Sequence, residues 1–210
     1  MIRVLLVRHG ETEWNVQGRL QGRRDIALSE TGRADARTLA PSLLPYRPRL
    51  VVTSALRRTR ETAEALGVAT GRADARLDEA HLGRWEGENS SALAAADPVA
   101  YRDWRAGRLR PPGGESFEEL TTRVLDAVAQ AVAEAAGAGE RSVLIVTHGG
   151  PVRALLQRTV GLDPERTVPA HPASLCVLEV DEGSELTTPG ACRLRLFNHA
   201  PSARDSEPSD

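Results

Sequence analysis

The chain has 210 residues with 27 Lys+Arg against 29 Asp+Glu, a formal charge of -2, and every one of those cations is an arginine. The missing lysine excludes a Schiff-base enzyme, a pyridoxal-phosphate enzyme and a phosphate-loop NTPase, each of which needs that side chain. Near-neutral charge and 3% aromatics argue against a nucleic-acid partner, which calls for a basic face and stacking platforms.

The length corresponds to one domain with elaborations. Ile2 to Val7 is a short aliphatic run of the kind covered on both faces of a sheet. It is cut off by Arg8 and His9, too soon for a signal-peptide core, and no run approaches a membrane span, so a cytoplasmic protein with no membrane partner is expected. Gly10 to Ser29 is polar and turn-rich, and a helix is expected from Glu30 to Leu44. Leu50 to Thr53 is the second strand, followed by a helix over Arg57 to Leu66 with Ser54 as its N-cap. Ala80 to Arg110 is the least regular stretch and reads as an excursion outside the sheet. Phe117, Leu120, Val124, Leu125, Val128 and Val132 recur at helical spacing and predict the longest helix, Ser116 to Ala136. Val143 to Thr147 is the third strand and feeds a helix over Val152 to Val160. Ser174 to Val180 and Cys192 to Asn198 add two strands, antiparallel across a Gly183 to Gly190 turn. Cys176 and Cys192 match neither a disulfide framework nor zinc spacing and read as core residues. Ala200 to Asp210, rich in Pro, Ser and charge, reads as a disordered tail. Strands alternating with helices predict a single-domain, three-layer α/β sandwich over residues 1–199, a mostly parallel sheet with helices on both faces.

In open parallel sheets the ligand sits beyond the carboxyl ends of the strands. Two of the five histidines fall there, in Val7-Arg8-His9-Gly10 and Val146-Thr147-His148-Gly149-Gly150. Glycine after each histidine lets the backbone approach a ligand, and Arg8 adds a fork of donors suited to phosphate. The second strand ends in Ser54-Ala55-Leu56-Arg57-Arg58-Thr59-Arg60, bringing more guanidinium to the same edge. Two imidazoles with arginines describe a site for a dianionic tetrahedral group, and neutral imidazole is a competent nucleophile toward phosphorus. A metal held by two histidines and a carboxylate is disfavoured, since the arginines would repel a cation and stabilise a phosphoryl group. Hydrolysis also needs a proton for the departing alkoxide. The loop Leu77 to Gly87 offers Glu79, His81 and Glu86 for that task, and an acid between Leu77 and Leu82 would be partly desolvated, raising its pKa. Spacing alone chooses neither the acid nor the nucleophilic histidine.

These residues resemble the histidine phosphatase superfamily, also called phosphoglycerate-mutase-like. Arg8-His9-Gly10 is similar to its signature, Gly18 to Gly32 to the segment that follows, Ser54 to Ala63 to its second arginine motif, Leu77 to Gly87 to its acid loop, and Thr147-His148-Gly149-Gly150 to its second histidine motif. The matches run in order from Val4 to about Val160. The resemblance implies that His9 becomes a transient phosphohistidine while Arg8, Arg58 and a protonated or hydrogen-bonding His148 hold the phosphoryl oxygens. It implies that Asn15, Gly149 and the backbone near Gln21 and Gly22 complete the cradle, that Glu79 is the proton donor, and that no metal or cofactor is needed. Mutase members tend to carry tyrosine where this chain has Leu82, a lysine in the insert that follows, and asparagine where Gly150 stands. A mutase must exclude water, so losing those clamps favours hydrolysis. The resemblance thus implies a phosphatase acting on a small phosphomonoester of sugar-phosphate or phosphoglycerate type. The alternatives are a cofactor-dependent phosphoglycerate mutase and a non-catalytic phospho-ligand binding module. The excursion, at about 80–112, would lie over the active site, with Arg102, Arg105, Arg108 and Arg110 where the family places substrate-selecting residues. The leaving group is not written in these motifs, and a homodimer is compatible with them.

Overall fold

The computed structural model describes residues 1–69 and 71–201, so the expected tail falls, but for its first two residues, outside the described residues. The strands are β1 (Ile2–Arg8), β2 (Leu50–Thr53), β3 (Arg72–Ala73), β4 (Ser142–Thr147), β5 (Leu175–Val180) and β6 (Cys192–His199). The helices are α1 (Glu13–Val16), α2 (Glu30–Leu39), α3 (Arg57–Ala65), α4 (Ser90–Ala96), α5 (Pro98–Arg105), α6 (Phe117–Gly137) and α7 (Gly149–Val160).

One sheet runs in the order β3-β2-β4-β1-β5-β6. β1, β4, β2 and β3 pair in parallel, and only β5 is reversed, hydrogen-bonded antiparallel to β1 on one side and β6 on the other. β1 and β4 sit in the middle, covered on both faces, which is why the four residues from Val4 to Val7 and from Val143 to Val146 are all aliphatic. Side chains alternate between the faces. Val4 and Leu6 join the cluster formed with α6 and α7, whereas Leu5 and Val7 join Leu39, Ala63 and Leu66 of the α2 and α3 face. The result is the expected mostly parallel sheet with a helical layer on each side. Both cysteines are buried and free, as expected of core residues.

Several boundaries differ for local reasons. α2 stops at Leu39, five residues short, because Pro41 has no N–H to continue the ladder, and the chain tightens into a 3-10 turn over Ala40–Leu43. α7 begins at Gly149 rather than Val152. Gly149, Gly150 and Pro151 occupy its first turn, where N–H groups have no intrahelical partner and proline costs little. Ser54 is not the N-cap of α3. That position is Leu56, without a side-chain cap, and the Ser54 hydroxyl is used elsewhere. α1 is a single turn closed by a reciprocal cap between Thr12 and Asn15, and β3 is two residues long, both too short to leave a periodic signal. The irregular stretch contains two helices, α4 capped by Asn89 and α5 capped by Asp97, with Pro98 opening the second. The excursion packs on the domain through Leu20, Leu82 and Trp104, with Trp85 edge-on to Trp104 at 5.5 Å. No helix among the described residues is long and apolar enough to cross a membrane.

Candidate active site

The β1–β4 register builds the site. Arg8 lies opposite Thr147, so the residues that follow, His9 and His148, emerge side by side at the carboxyl edge of the sheet. The His9 N–H donates to the Thr147 carbonyl at 2.9 Å, and the two rings stand 5.1 Å apart at 61°. The His9 ring borders a cavity of about 950 Å³, its open mouth included, whose floor carries Arg8, His9, Gln21, Gly22, Arg58 and Gly149.

His9 is buried, and its Nδ1 lies 2.7 Å from the Gly10 carbonyl oxygen. A carbonyl only accepts, so Nδ1 carries the ring proton and Nε2 keeps its lone pair. Burial holds the His9 pKa well below the ordinary histidine value, and the Arg58 and Arg8 charges push it the same way. His9 is therefore a neutral imidazole with a fixed tautomer.

Arg58, the first turn of α3, is fully buried and spends its donors on three partners: Nε to His148 Nδ1 at 3.1 Å, and the two terminal nitrogens to the carbonyls of Arg24 and Gly22 at 2.6 and 2.8 Å. Burial pulls it down to about 10, so it stays charged at neutral pH. Arg8 is buried beside it and donates to the Ala170 carbonyl at 2.6 Å. Arg57 turns away to ion-pair with Glu61, and Arg60 is exposed, so Arg58 alone of that run faces the cavity.

His148, expected as a protonated or hydrogen-bonding ring on the phosphoryl oxygens, is a hydrogen-bonding ring set back from the cavity wall. Its Nδ1 accepts from Arg58, which can only donate, so the proton sits on Nε2 and goes to the Ser54 hydroxyl at 2.7 Å. Burial first, then the charge of Arg58, keeps its pKa well below the ordinary value. The ring is neutral, fully buried and absent from the cavity lining, standing behind His9 and Arg58. Ser54 is thus a site residue that pattern reading misplaced as a helix cap. The available signal was its position one residue past β2, the same address as His9 and His148.

Among the acid candidates only Glu79 lines the cavity. Its carboxylate accepts from the backbone N–H of Ala80 at 2.8 Å and of Gly150 at 3.3 Å. Glu86, partly buried with its side chain shielded, accepts from the N–H of Arg23 and Leu82 while pairing with Arg24. His81 lies 3.8 Å from Glu86, facing away from the cavity wall. Asp78 accepts from the Ala55 N–H at 2.8 Å and so ties the acid loop to the Ser54 loop. Gln21, Gly22 and Gly149 lie on the wall as expected. Asn15 does not. Its carboxamide oxygen accepts from Thr12 N–H and Oγ1, both at 3.0 Å, as part of the α1 cap.

Of Arg102, Arg105, Arg108 and Arg110, only Arg105 reaches the cavity. Arg108 pairs with Asp103 and Glu165, Arg110 with Glu119, and Arg102 lies 3.9 Å from Asp103. Among the described residues no group of three or more His, Cys, Asp or Glu side chains is arranged to hold a metal ion.

An α/β sheet that presents paired imidazoles, two buried guanidinium groups and a helix N-terminus at one edge defines a phosphoryl-handling protein. The family model of the histidine phosphatase superfamily (branch 1) matches residues 4–188, and the chain belongs to that superfamily. A glucosyl-3-phosphoglycerate phosphatase of Mycolicibacterium vanbaalenii is 40% identical over 168 residues, covering 76% of this chain and 75% of that protein. A 2,3-bisphosphoglycerate-dependent phosphoglycerate mutase of Gloeobacter violaceus is 32% identical over 174 residues, covering 79% of each. Among solved structures, a mycobacterial glucosyl-3-phosphoglycerate phosphatase in complex with VO3 superposes with a TM-score of 0.82 at 35% identity, covering 94% of this chain and 99% of that one.

Proposed function

We propose that the chain is a metal-independent phosphatase that hydrolyses a small phosphorylated metabolite through a phosphohistidine on His9. The observation that carries this reading is the state of His9: neutral, its Nδ1 proton bound to Gly10, its Nε2 lone pair unprotonated beside two buried arginines. In the first step Nε2 attacks phosphorus as the bond to the ester oxygen breaks, and Glu79 gives that oxygen a proton, releasing the alcohol. In the second step water attacks the phosphohistidine, Glu79 takes a proton from it, the P–N bond breaks and His9 is restored. Arg8, Arg58 and the N–H groups that open α7 stabilise the charge on the equatorial oxygens, the main demand of phosphoryl transfer. His148 serves by fixing the Arg58 fork. Such esters are charged and do not cross membranes, so the reaction belongs in the cytoplasm.

The test is phosphate release from a panel of phosphomonoesters at about pH 5 to 8, with chelator present. Activity is expected, with a base-stable, acid-labile label on the protein after rapid quenching of labelled substrate. His9→Ala should fold normally and lose both signals; near-normal turnover in that variant, or inhibition by the chelator, overturns the proposal. A mutase is the second reading, favoured by the Gloeobacter relative. It predicts 2-phosphoglycerate from 3-phosphoglycerate in place of free phosphate.

A further inference from the structure

Above the phosphate-binding floor the character of the cavity changes. One side is built from Leu20, Leu82 and Trp104, and the other from Val152, Leu156, Leu162, Val168 and Phe197. Apart from the floor residues and Glu79, the polar side chains that line the cavity are Arg105, Arg153 and Thr167, and among the described residues no aspartate, asparagine, serine or tyrosine contributes to it. The arginines add flat, weakly hydrated surface: the Arg105 guanidinium lies 5.9 Å from the Trp104 ring and that of Arg153 lies 5.0 Å from the Phe117 ring. Val168 stands at the mouth with 59% of its surface open to water, an apolar side chain that a ligand would cover.

Polar contacts join the two sides. Arg108 grips Glu165 with both terminal nitrogens, at 2.9 and 3.2 Å, joining the excursion to the loop that carries Leu162 and Val168. Arg153 on α7 donates to the Arg105 carbonyl at 2.8 Å. The chamber is therefore preformed, and a bound apolar group does not have to order it.

We infer that the leaving group this site selects has an apolar body several carbons long, seated between Trp104 and the Leu162–Val168 loop. This rests on the phosphatase reading for the floor of the cavity. A polyol or sugar there would surrender its hydration to a wall that returns few hydrogen bonds, whereas an alkyl chain gains with each carbon buried.

The first measurement does not need turnover. Linear alkylphosphonates from ethyl to octyl carry one headgroup and an unbroken P–C bond, and their binding is read by calorimetry. The dissociation constant should fall about threefold per added methylene until the chamber is filled, somewhat less than full burial of each methylene allows. The second is kcat/KM for the matching primary alkyl phosphates, whose leaving alcohols have nearly one acidity. It should follow the same slope, with hexyl phosphate above glycerol 1-phosphate and glucose 6-phosphate. Val168→Ser, at an exposed position, and Leu162→Ser should each flatten that slope. If binding and turnover are independent of chain length, or the polyol esters are preferred, the inference is wrong while the phosphatase reading stands. If the phosphonates follow the slope but no ester is hydrolysed, the phosphatase reading fails and the apolar chamber stands.

Discussion

The Ser54 hydroxyl does as much to define the site as the groups around it. It accepts from His148 Nε2 at 2.7 Å and from the Leu56 N–H at 3.2 Å, and lies 3.0 Å from Thr59 Oγ1, to which its own proton then goes. Ser54→Ala would strand a buried imidazole N–H at a cost of ~1–3 kcal/mol. It would also free the ring that orients Arg58, and misplacing that fork should lower kcat by about tenfold or more. Urea unfolding and steady-state assays read the two effects separately, and unchanged kcat would remove His148 from any positioning role. Gly150 makes the complementary case. A Cβ there would fall on the Glu79 carboxylate, the movable end of a side chain, while in the first turn of α7 alanine is the better helix former by up to ~1 kcal/mol. Gly150→Ala should therefore keep or raise the melting temperature and still lose about tenfold or more in kcat, because the acid is pushed aside. Sequence reading located His9, His148, Arg58 and the acid loop because each follows a strand or a recognisable motif. Ser54 was passed over because its partner is 94 positions away, and the state of His148 depends on which donor reaches its Nδ1.

The acid loop has no strand or α-helix of its own, only a 3-10 turn over Gly83–Trp85, and the segment around Glu79 is held by α6. Arg123 of that helix donates to the carbonyls of Arg76 and Asp78, both at 2.7 Å, and of Glu79 at 3.0 Å, and it pairs with Glu115. Its side chain is mostly buried, and the planar fork serves three backbone acceptors that a single ammonium could not span. Arg123→Met should lower kcat by about tenfold or more while the inhibition constant of inorganic phosphate moves less than about twofold, because the floor of the cavity is left intact. Arg123→Lys should not restore the rate. A parallel loss of phosphate affinity would show that the variant disturbs the fold at large rather than the placement of Glu79. The strands β1, β2 and β4 and the helix α6 were legible because burial on both faces or on one long stripe leaves an aliphatic pattern. α4 and α5 were not, since α4 buries no residue and α5, only eight residues long, buries only Trp104, too short a stripe to stand out.

Two neutral imidazoles walled into one site make the fold sensitive to mild acid. His9 and His148 both have folded-state pKa values well below the ordinary 6.5, chiefly from burial and then from neighbouring arginine charge. The unfolded chain therefore binds protons first as the pH falls, and stability declines with it. Their contribution is fully present above pH 6.5 or so and is lost progressively below it, at up to about 1.4 kcal/mol per pH unit for each ring. The paired carboxylates act lower down: Asp74, held down chiefly by its hydrogen bond to Arg76, loses its contribution only as pH falls below the ordinary aspartate range. Urea unfolding at pH 7.0, 6.0 and 5.0 should thus show a falling midpoint as the pH drops below the ordinary histidine value. His9→Asn, which keeps a polar group of similar reach and cannot be protonated, should make the slope shallower. The same depression keeps the nucleophile neutral through that window, so kcat should hold to a lower pH than free imidazole would allow, until the fold itself gives way. A flat stability profile between pH 7 and 5 would mean that these rings titrate as they do in water, and a freely protonated His9 has no lone pair to offer phosphorus.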